Sequence, residues 1–279
     1  MFLTMGRPRK NRSIFLTLDA EFWDSPQFFG LASACHGEIG NGGCLAFLDL
    51  VQDLNIPCTF FVSVVFARRH PQTIHRILDE GHEVASHSYT HSRLVGLTRQ
   101  ERLFEIGESK RYIEETFGIV VRGFRAPGNQ IAPDHFQLLK ECGYRYDSSV
   151  HPVLHPYQPF AVFQPKSPFL KEGILEIPIA TLGGLPVSWV WMRNAGSWLP
   201  RLSVTYNHWL GREPVLYVHS WDFEPLPSVP GVPRYVTRRT GQAFLDIIDR
   251  FVKGSQAKGA SFGRMDHWTD EYLDHHPRI

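Results

Sequence analysis

Apolar positions along the chain fall into two alternating rhythms. Short apolar runs at residues 13–19, 57–62, 83–86, 120–124, 144–147, 174–179 and 215–219 have the length and the aromatic and β-branched content of buried strands. A shorter run near 260–262 fits one more. Between them lie stretches with helical spacing. Residues 44–55 place Leu45, Leu48, Val51 and Leu54 on one face. A helix over 71–80 stops at Gly81, and one over 132–142 stops at Gly143. The helix over 98–117 opens on Thr98 and Glu101, the pair that makes a capping box, and ends at Gly118. Residues 241–252 give the last clear helix. Strands alternating with crossover helices run parallel, and about seven or eight such units predict an α/β fold closed into an irregular (β/α) barrel of about seven parallel strands.

The rhythm breaks twice. Residues 182–210 carry Trp189, Trp191, Trp198 and Trp209 with little clean periodicity, and residues 222–234 carry four prolines. Either segment can wall a binding site, although the Trp-rich stretch reads equally well as a core helix. The expected organisation is a basic tail at 1–12, one domain over 13–264 and a C-terminal tail at 265–279.

Composition narrows the class. A chain of 279 residues with 43% hydrophobic and 20% charged residues builds a large core and is not disordered. A net charge of +1 gives no broad field for nucleic acid. The N-terminus lacks the apolar stretch of a secretory signal, and no run approaches the ~18 apolar residues of a membrane span. The expectation is therefore a cytoplasmic protein with no transmembrane segment. The basic residues 7–12 could touch a membrane surface, but a solvated tail is the simpler reading. Cys35, Cys44, Cys58 and Cys142 show no C-x-x-C spacing. Cys58 and Cys142 sit in apolar runs as small buried residues, and Cys35 and Cys44 read as free thiols. Fourteen histidines hint at metal chemistry without locating it.

Five polar clusters stand at the C-terminal ends of the expected strands, where a parallel barrel places its site. Asp19-Ala-Glu21 puts two carboxylates on one side of an extended chain. His87-Ser-Tyr-Thr-His91 spaces two histidines so that one helical turn would aim both at a cation. Arg125-Ala-Pro127-Gly128 offers a fixed cation that can grip a carboxylate, and a turn that can present a backbone N–H to a ligand oxygen. Asp147 ends the fifth expected strand, His219 ends the apolar run at 215–219, and Trp221 follows it. Taken singly, each has a structural explanation: a solvated acid, a capping histidine, a surface arginine.

Together, in this order, they resemble the NodB-like polysaccharide deacetylases, carbohydrate esterase family four, over residues 15–262. The most specific element is GHEVASHSYTH at 81–91, followed by GFRAP and a strand-end LYVH. The resemblance implies that Asp19 is the catalytic base, that His87 and His91 bind the metal, that Arg125 and Asp147 orient the base and the acid, and that His219 is the general acid. The common first motif has two adjacent aspartates, but position 20 is alanine here. The pattern Asp19-x-Glu21 looks like branches that use D-x-D or D-x-E, which transfers the ligand role to Glu21, with Asp24 as the weaker candidate. Asn129 is a second departure, since many members carry glycine there.

The implied reaction is hydrolysis of an N-acetyl or N-formyl amide on an amino sugar. One divalent cation would assist, with Zn²⁺ favoured and Co²⁺, Ni²⁺ or Mn²⁺ alternatives. The Gly128 N–H would face the oxyanion and Trp221 the substrate. Two other functions use the same residues differently: hydrolysis of small non-peptide amides, and non-catalytic glycan binding. A binder needs neither Asp19 nor His219.

Overall fold

The computed structural model describes residues 13–23, 38–154 and 160–275. The expected 1–12 tail, Asp24 and Cys35 lie outside the described residues. The first strand, β1 (Ser13–Ala20), is buried on both faces, and its period of two sorts the architecture. Ile14, Leu16, Leu18 and Ala20 point into the surrounding layer of helices. Phe15 belongs to a second, inner cluster with Phe61, Tyr146, Leu175 and Val215. Thr17 and Asp19 continue that inner face upward.

Helix α1 (Asn41–Asp53) leads to β2 (Thr59–Val62), and α2 (Val64–Arg69) and α3 (Pro71–Asp79) lead to β3 (Glu83–Ser86). Helix α4 (Arg99–Leu103) runs through a π-helical turn (Phe104–Glu108) into α5 (Ser109–Phe117), with the expected capping box at Thr98 and Glu101. Then come β4 (Gly123–Phe124), α6 (His135–Glu141), β5 (Tyr146–Asp147), the hairpin β6 (Phe169–Lys171) and β7 (Ile174–Glu176), and the hairpin β8 (Thr181–Leu182) and β9 (Leu185–Pro186). Helices α7 (Val190–Ala195) and α8 (Trp198–Trp209) precede β10 (Val215–His219), and α9 (Arg234–Thr237), α10 (Gln242–Gln256), β11 (Ser261–Phe262) and α11 (Met265–His275) complete the chain.

The strands pair in the order β10-β1-β2-β3-β4-β5-β7, all parallel, and β6 adds antiparallel to β7. A single parallel bridge from Ile179 to Val215 brings the chain after β7 back to β10 and closes the ring. Seven parallel strands in a distorted barrel match the sequence expectation. No described helix is long and apolar enough to cross a membrane.

Three regions depart from expectation. The 265–275 segment, expected as tail, is a helix that plugs the bottom of the ring: Met265 is fully buried, and the Trp268 ring lies edge-on to Phe15 at 5.6 Å. The 182–210 segment is a hairpin and two helices rather than one core helix. In α8 the buried face is mostly polar or small (Pro200, Ser203, Val204, Asn207, His208), whereas Trp198, Leu202 and Trp209 face outward. That inversion is why no amphipathic period is visible. Helix α2 is too short to leave one.

At Gly43 close approach demands glycine. A Cβ on Gly43 would lie 2.0 Å from the Ser220 carbonyl oxygen, so α1 rests directly on the segment after β10. From that segment Glu224 reaches back, its Oε1 accepting from the N–H groups of Gly40 (2.7 Å) and Gly43 (3.0 Å) at the positive end of α1. Deep in the ring, Glu83 accepts from Thr59 Oγ1 (2.6 Å), Tyr146 OH (2.8 Å) and the Asp266 N–H (3.1 Å). Burial, with the Asp266 carboxylate adding to it, pushes Glu83 up to about 7.

Candidate active site

The register of β1 against β10 sets Asp19 directly beside His219 on neighbouring strands. Both sit at the upper rim, and Glu21 follows where the chain leaves β1. Arg125, fully buried just past β4, holds the aspartate. Its Nη1 donates to Asp19 Oδ1 (2.7 Å) and Thr17 Oγ1 (2.8 Å), its Nε to the Ser148 carbonyl (3.0 Å) and its Nη2 to Ser148 Oγ (3.1 Å). The guanidinium also lies 4.0 Å from the Phe61 ring centroid. A planar cation gripped on this many sides has one orientation, and Asp19 inherits it.

His87 and His91 converge, with ring centroids 5.0 Å apart, but not through a helical turn. The segment after β3 is a loop in which Ser88 (φ 67°) and His91 (φ 68°) are left-handed, a conformation that non-glycine residues avoid. The loop is held from outside. Glu105, in the π-helical turn, accepts from the N–H groups of Tyr89 and Thr90 (2.9 Å each) and from the Thr90 hydroxyl, and Ser88 Oγ accepts from the His91 N–H at 3.1 Å. A π turn shifts helix register by one residue, and here it aims a buried carboxylate at the loop.

Glu21 joins the pair. Its Oε2 lies 3.0 Å from His87 Nε2 and 2.5 Å from His91 Nε2, and the three ligand atoms lie within 4.8 Å of one another. The tautomer of His87 is dictated by its far side: Nδ1 lies 2.8 Å from the Arg125 carbonyl oxygen, which can only accept. In a neutral ring, Nε2 therefore presents a lone pair to a carboxylate oxygen. Two acceptors that face each other in a buried site require a cation or a proton between them, so this donor set fits a divalent metal. Burial pushes Glu21 upward, but His91, His219 and the hydrogen-bonded imidazoles outweigh it and hold the carboxyl well below its ordinary range.

His219 faces the same space. Its Nδ1 lies 3.2 Å from Asp222 Oδ2, which also accepts from the His219 N–H (3.0 Å), leaving Nε2 for the site. Asp222 Oδ1 accepts from Trp189 Nε1 (3.1 Å) and from the buried Arg193 guanidinium. Burial opposes the charged imidazole, but Glu21, the Asp222 hydrogen bond and charge, and Asp19 raise its pKa above the ordinary histidine value.

Several expected roles change. Asp147 does not orient His219. Its carboxylate meets His135 Nε2 (2.9 Å) and the Ser149 hydroxyl (2.7 Å), and Ser149 Oγ accepts from the Ala126 N–H (2.8 Å). Asp147 therefore braces the turn after Arg125, and Asp222 is the partner of His219. The reason is reach: Asp222 lies in the short 3₁₀ turn Ser220–Phe223 that folds straight back over the end of β10. Trp221 is not a substrate wall, being only 2% exposed. It stacks on His219 at 4.6 Å, and its indole N–H donates to Glu21 Oε1 at 2.9 Å. Half-buried Trp189, edge-on to His219 at 5.0 Å, occupies the position nearer solvent. Gly128 is exposed and left-handed (φ 63°) in the turn Pro127–Asn129, and Asn129 shares that backbone sign (φ 55°). Asp222, Arg193 and Glu105 had no visible signal, because each acts from outside the strand-end clusters. Cys44 and Cys58 are buried free thiols, as expected.

Over residues 6–146 the sequence matches the polysaccharide deacetylase family, and the chain belongs to that family. Chitooligosaccharide deacetylase of Sinorhizobium fredii is 37% identical over 81 residues, which span 29% of this chain and 38% of that protein. The matched segment thus covers well under half of that relative. A Mycobacterium smegmatis structure provisionally named a polysaccharide deacetylase aligns with a TM-score of 0.68 at 21% identity, over 96% of this chain and 92% of that one. The Puue allantoinase structure aligns with a TM-score of 0.67 at 18% identity, over 98% and 94%. At such identities the likeness is one of fold.

Proposed function

We propose that this chain is a metal-dependent hydrolase that removes an N-acetyl or N-formyl group from an amino sugar. The observation that carries this reading is the pair of facing acceptors, Glu21 and His87, flanked by the buried Asp19 carboxylate on one side and, on the other, by His219, whose acidic neighbours raise its pKa. Glu21, His87 and His91 would hold one divalent cation, with Zn²⁺ suited to two imidazoles and a carboxylate, and Co²⁺, Ni²⁺ or Mn²⁺ as alternatives. The cation supplies Lewis acidity, making water acidic near neutral pH and polarising an amide carbonyl.

The chain's own residues do the rest. Asp19, held by Arg125, accepts the proton of the attacking water. His219, whose charged form is favoured by its acidic neighbours, hands a proton from Nε2 to the departing nitrogen, since an amine leaves poorly as an anion. The Gly128 N–H is the backbone donor assigned to the oxyanion. Trp189, half-buried beside His219, is the aromatic residue placed to meet the sugar. The family, and the amino-sugar name of the Sinorhizobium relative, support the substrate class. A glycan binder would have no use for an acid and a base set side by side.

The test is elemental analysis of the purified chain together with acetate release from N-acetylated chitooligosaccharides. About one metal per chain and acetate release abolished by chelation are expected. Ammonia release or ring opening from small amides, with no acetate from sugars, would assign the site to small amides instead. A metal-free chain that binds sugar without turnover would overturn the reading.

A further inference from the structure

We propose that the face formed by α7, α8 and α9 docks onto an anionic lipid surface. Along α8 the outward residues are Trp198, Leu202, Thr205 and Trp209, an i, i+4, i+7, i+11 stripe that contains no charge. Trp198 is 59% and Trp209 76% exposed. Two residues, Gly196 and Ser197, separate this helix from α7, where Trp191 is 54% exposed. Three open indoles on linked helices exceed the scattered apolar residues of an ordinary surface. The opposite side of α8 already packs inward through Ser203, Val204 and Asn207, so the stripe is not a core face left uncovered by accident. Indole, with an apolar body and a polar N–H, suits the boundary between water and lipid.

Charge selects the occupant. Residues 177–212 and 225–245 contain no aspartate or glutamate and six arginines, of which only Arg193 is buried, against Asp222. Helix α9 brings exposed Arg234, Arg238 and Arg239 beside α7: Asn194 Nδ2 donates to the Tyr235 carbonyl (2.9 Å), and Arg239 Nη1 donates to the Asn194 carbonyl (3.1 Å). Aromatic side chains rimmed by arginine complement lipid phosphates. A symmetric second copy would set these arginines against one another, which disfavours a homodimer here. Trp189, the residue before α7, packs on His219, so the docked face begins next to the mouth of the site.

The test uses the full chain with vesicles of phosphatidylcholine alone or mixed with phosphatidylglycerol, read by co-sedimentation and tryptophan emission. Partition onto the anionic vesicles, weakened by salt and accompanied by a blue shift, is expected. Trp198→Ala with Trp209→Ala should reduce partition about tenfold. Arg234→Glu with Arg238→Glu should reduce it about tenfold and flatten its salt dependence. Both double variants should keep wild-type circular dichroism. Wild type that stays in the supernatant with both vesicles overturns the proposal. So does binding that survives the tryptophan pair. A concentration-dependent dimer, formed without vesicles and dispersed by that pair, would give the stripe to a second copy. None of these readouts depends on turnover, so failure here and failure of the deacetylase reading are separable.

Discussion

Asp222 Oδ2 receives both the backbone N–H and the Nδ1 of His219, at 3.0 and 3.2 Å, so one carboxylate fixes the position and the charge of the same imidazole. It is fixed in turn by Trp189 and Arg193, which makes the histidine the inner end of a chain that reaches the helices outside the ring.

Replacing Asp222 with Asn therefore lowers the pKa of His219. The imidazole works as an acid only below its pKa, so the basic limb of the pH–rate profile moves to lower pH. About a tenfold loss of turnover at pH 8, with a smaller loss at pH 6, is expected. Metal content should not change. An unmoved basic limb would separate Asp222 from the acid.

Glu21→Ala removes the carboxylate of the candidate metal set. Metal content measured by emission spectroscopy should fall to a small fraction of wild type, whereas His219→Ala should keep its metal and lose nearly all turnover. Full metal occupancy in the Glu21 variant would dismiss that residue as a ligand.

Glu105→Ala tests the loop. It leaves the part-buried N–H groups of Tyr89 and Thr90 without their acceptor, at a cost of about 1–2 kcal/mol in unfolding free energy. It also frees His91 from its imposed conformation, so metal affinity should drop by about 10–100-fold although Glu105 touches no ligand. Calorimetric titration of zinc into the metal-free chain reads the second effect, and denaturant unfolding reads the first.

Gly43→Ala places a methyl group 2.0 Å from the Ser220 carbonyl oxygen, a backbone atom with little room to yield. Destabilisation of about 3 kcal/mol or more is expected. In whatever remains folded, displacement of the 220–223 turn should disturb Trp221 and quench differently in steady-state emission.

The buried carboxyl of Glu83 predicts a pH dependence of stability. Its pKa is raised in the native state to about 7 from 4.5, so the unfolded chain gives up this proton first. The contribution is intact below about pH 4.5 and is lost as pH rises through about 7. Glu83→Gln should flatten the melting temperature between pH 5 and pH 8, leaving the variant more stable than wild type at the upper end. A parallel decline in both proteins would contradict this.

Much of this is legible in the amino-acid sequence. The strands at Glu83–Ser86 and Val215–His219 stand at the expected residues, because each is a short apolar run that a histidine cluster interrupts or ends. The site was visible for the same reason: buried strands do not end by chance in Asp19, His87, Arg125 and His219. Reach across the ring was not visible. The spacing of His87 and His91 suggested a helical turn, yet a loop with two left-handed residues meets the same spacing. Asp147 stood where an orienting acid was expected, but three-dimensional proximity assigned that position to Asp222, inside a proline-rich segment with no period to read. Helix α8 hid because its apolar residues face outward.

The ring is closed unequally. Five register pairs join β1 to β10, whereas one bridge at Ile179 and Val215 stitches the far flank. One register pair, Ser86 with Phe124, likewise joins β3 to β4, so these two seams are the least laced parts of the ring. Asp19 and His219, the proposed acceptor and donor, are register partners on the five-pair ladder, so loosening at either seam would leave the spacing between them unchanged.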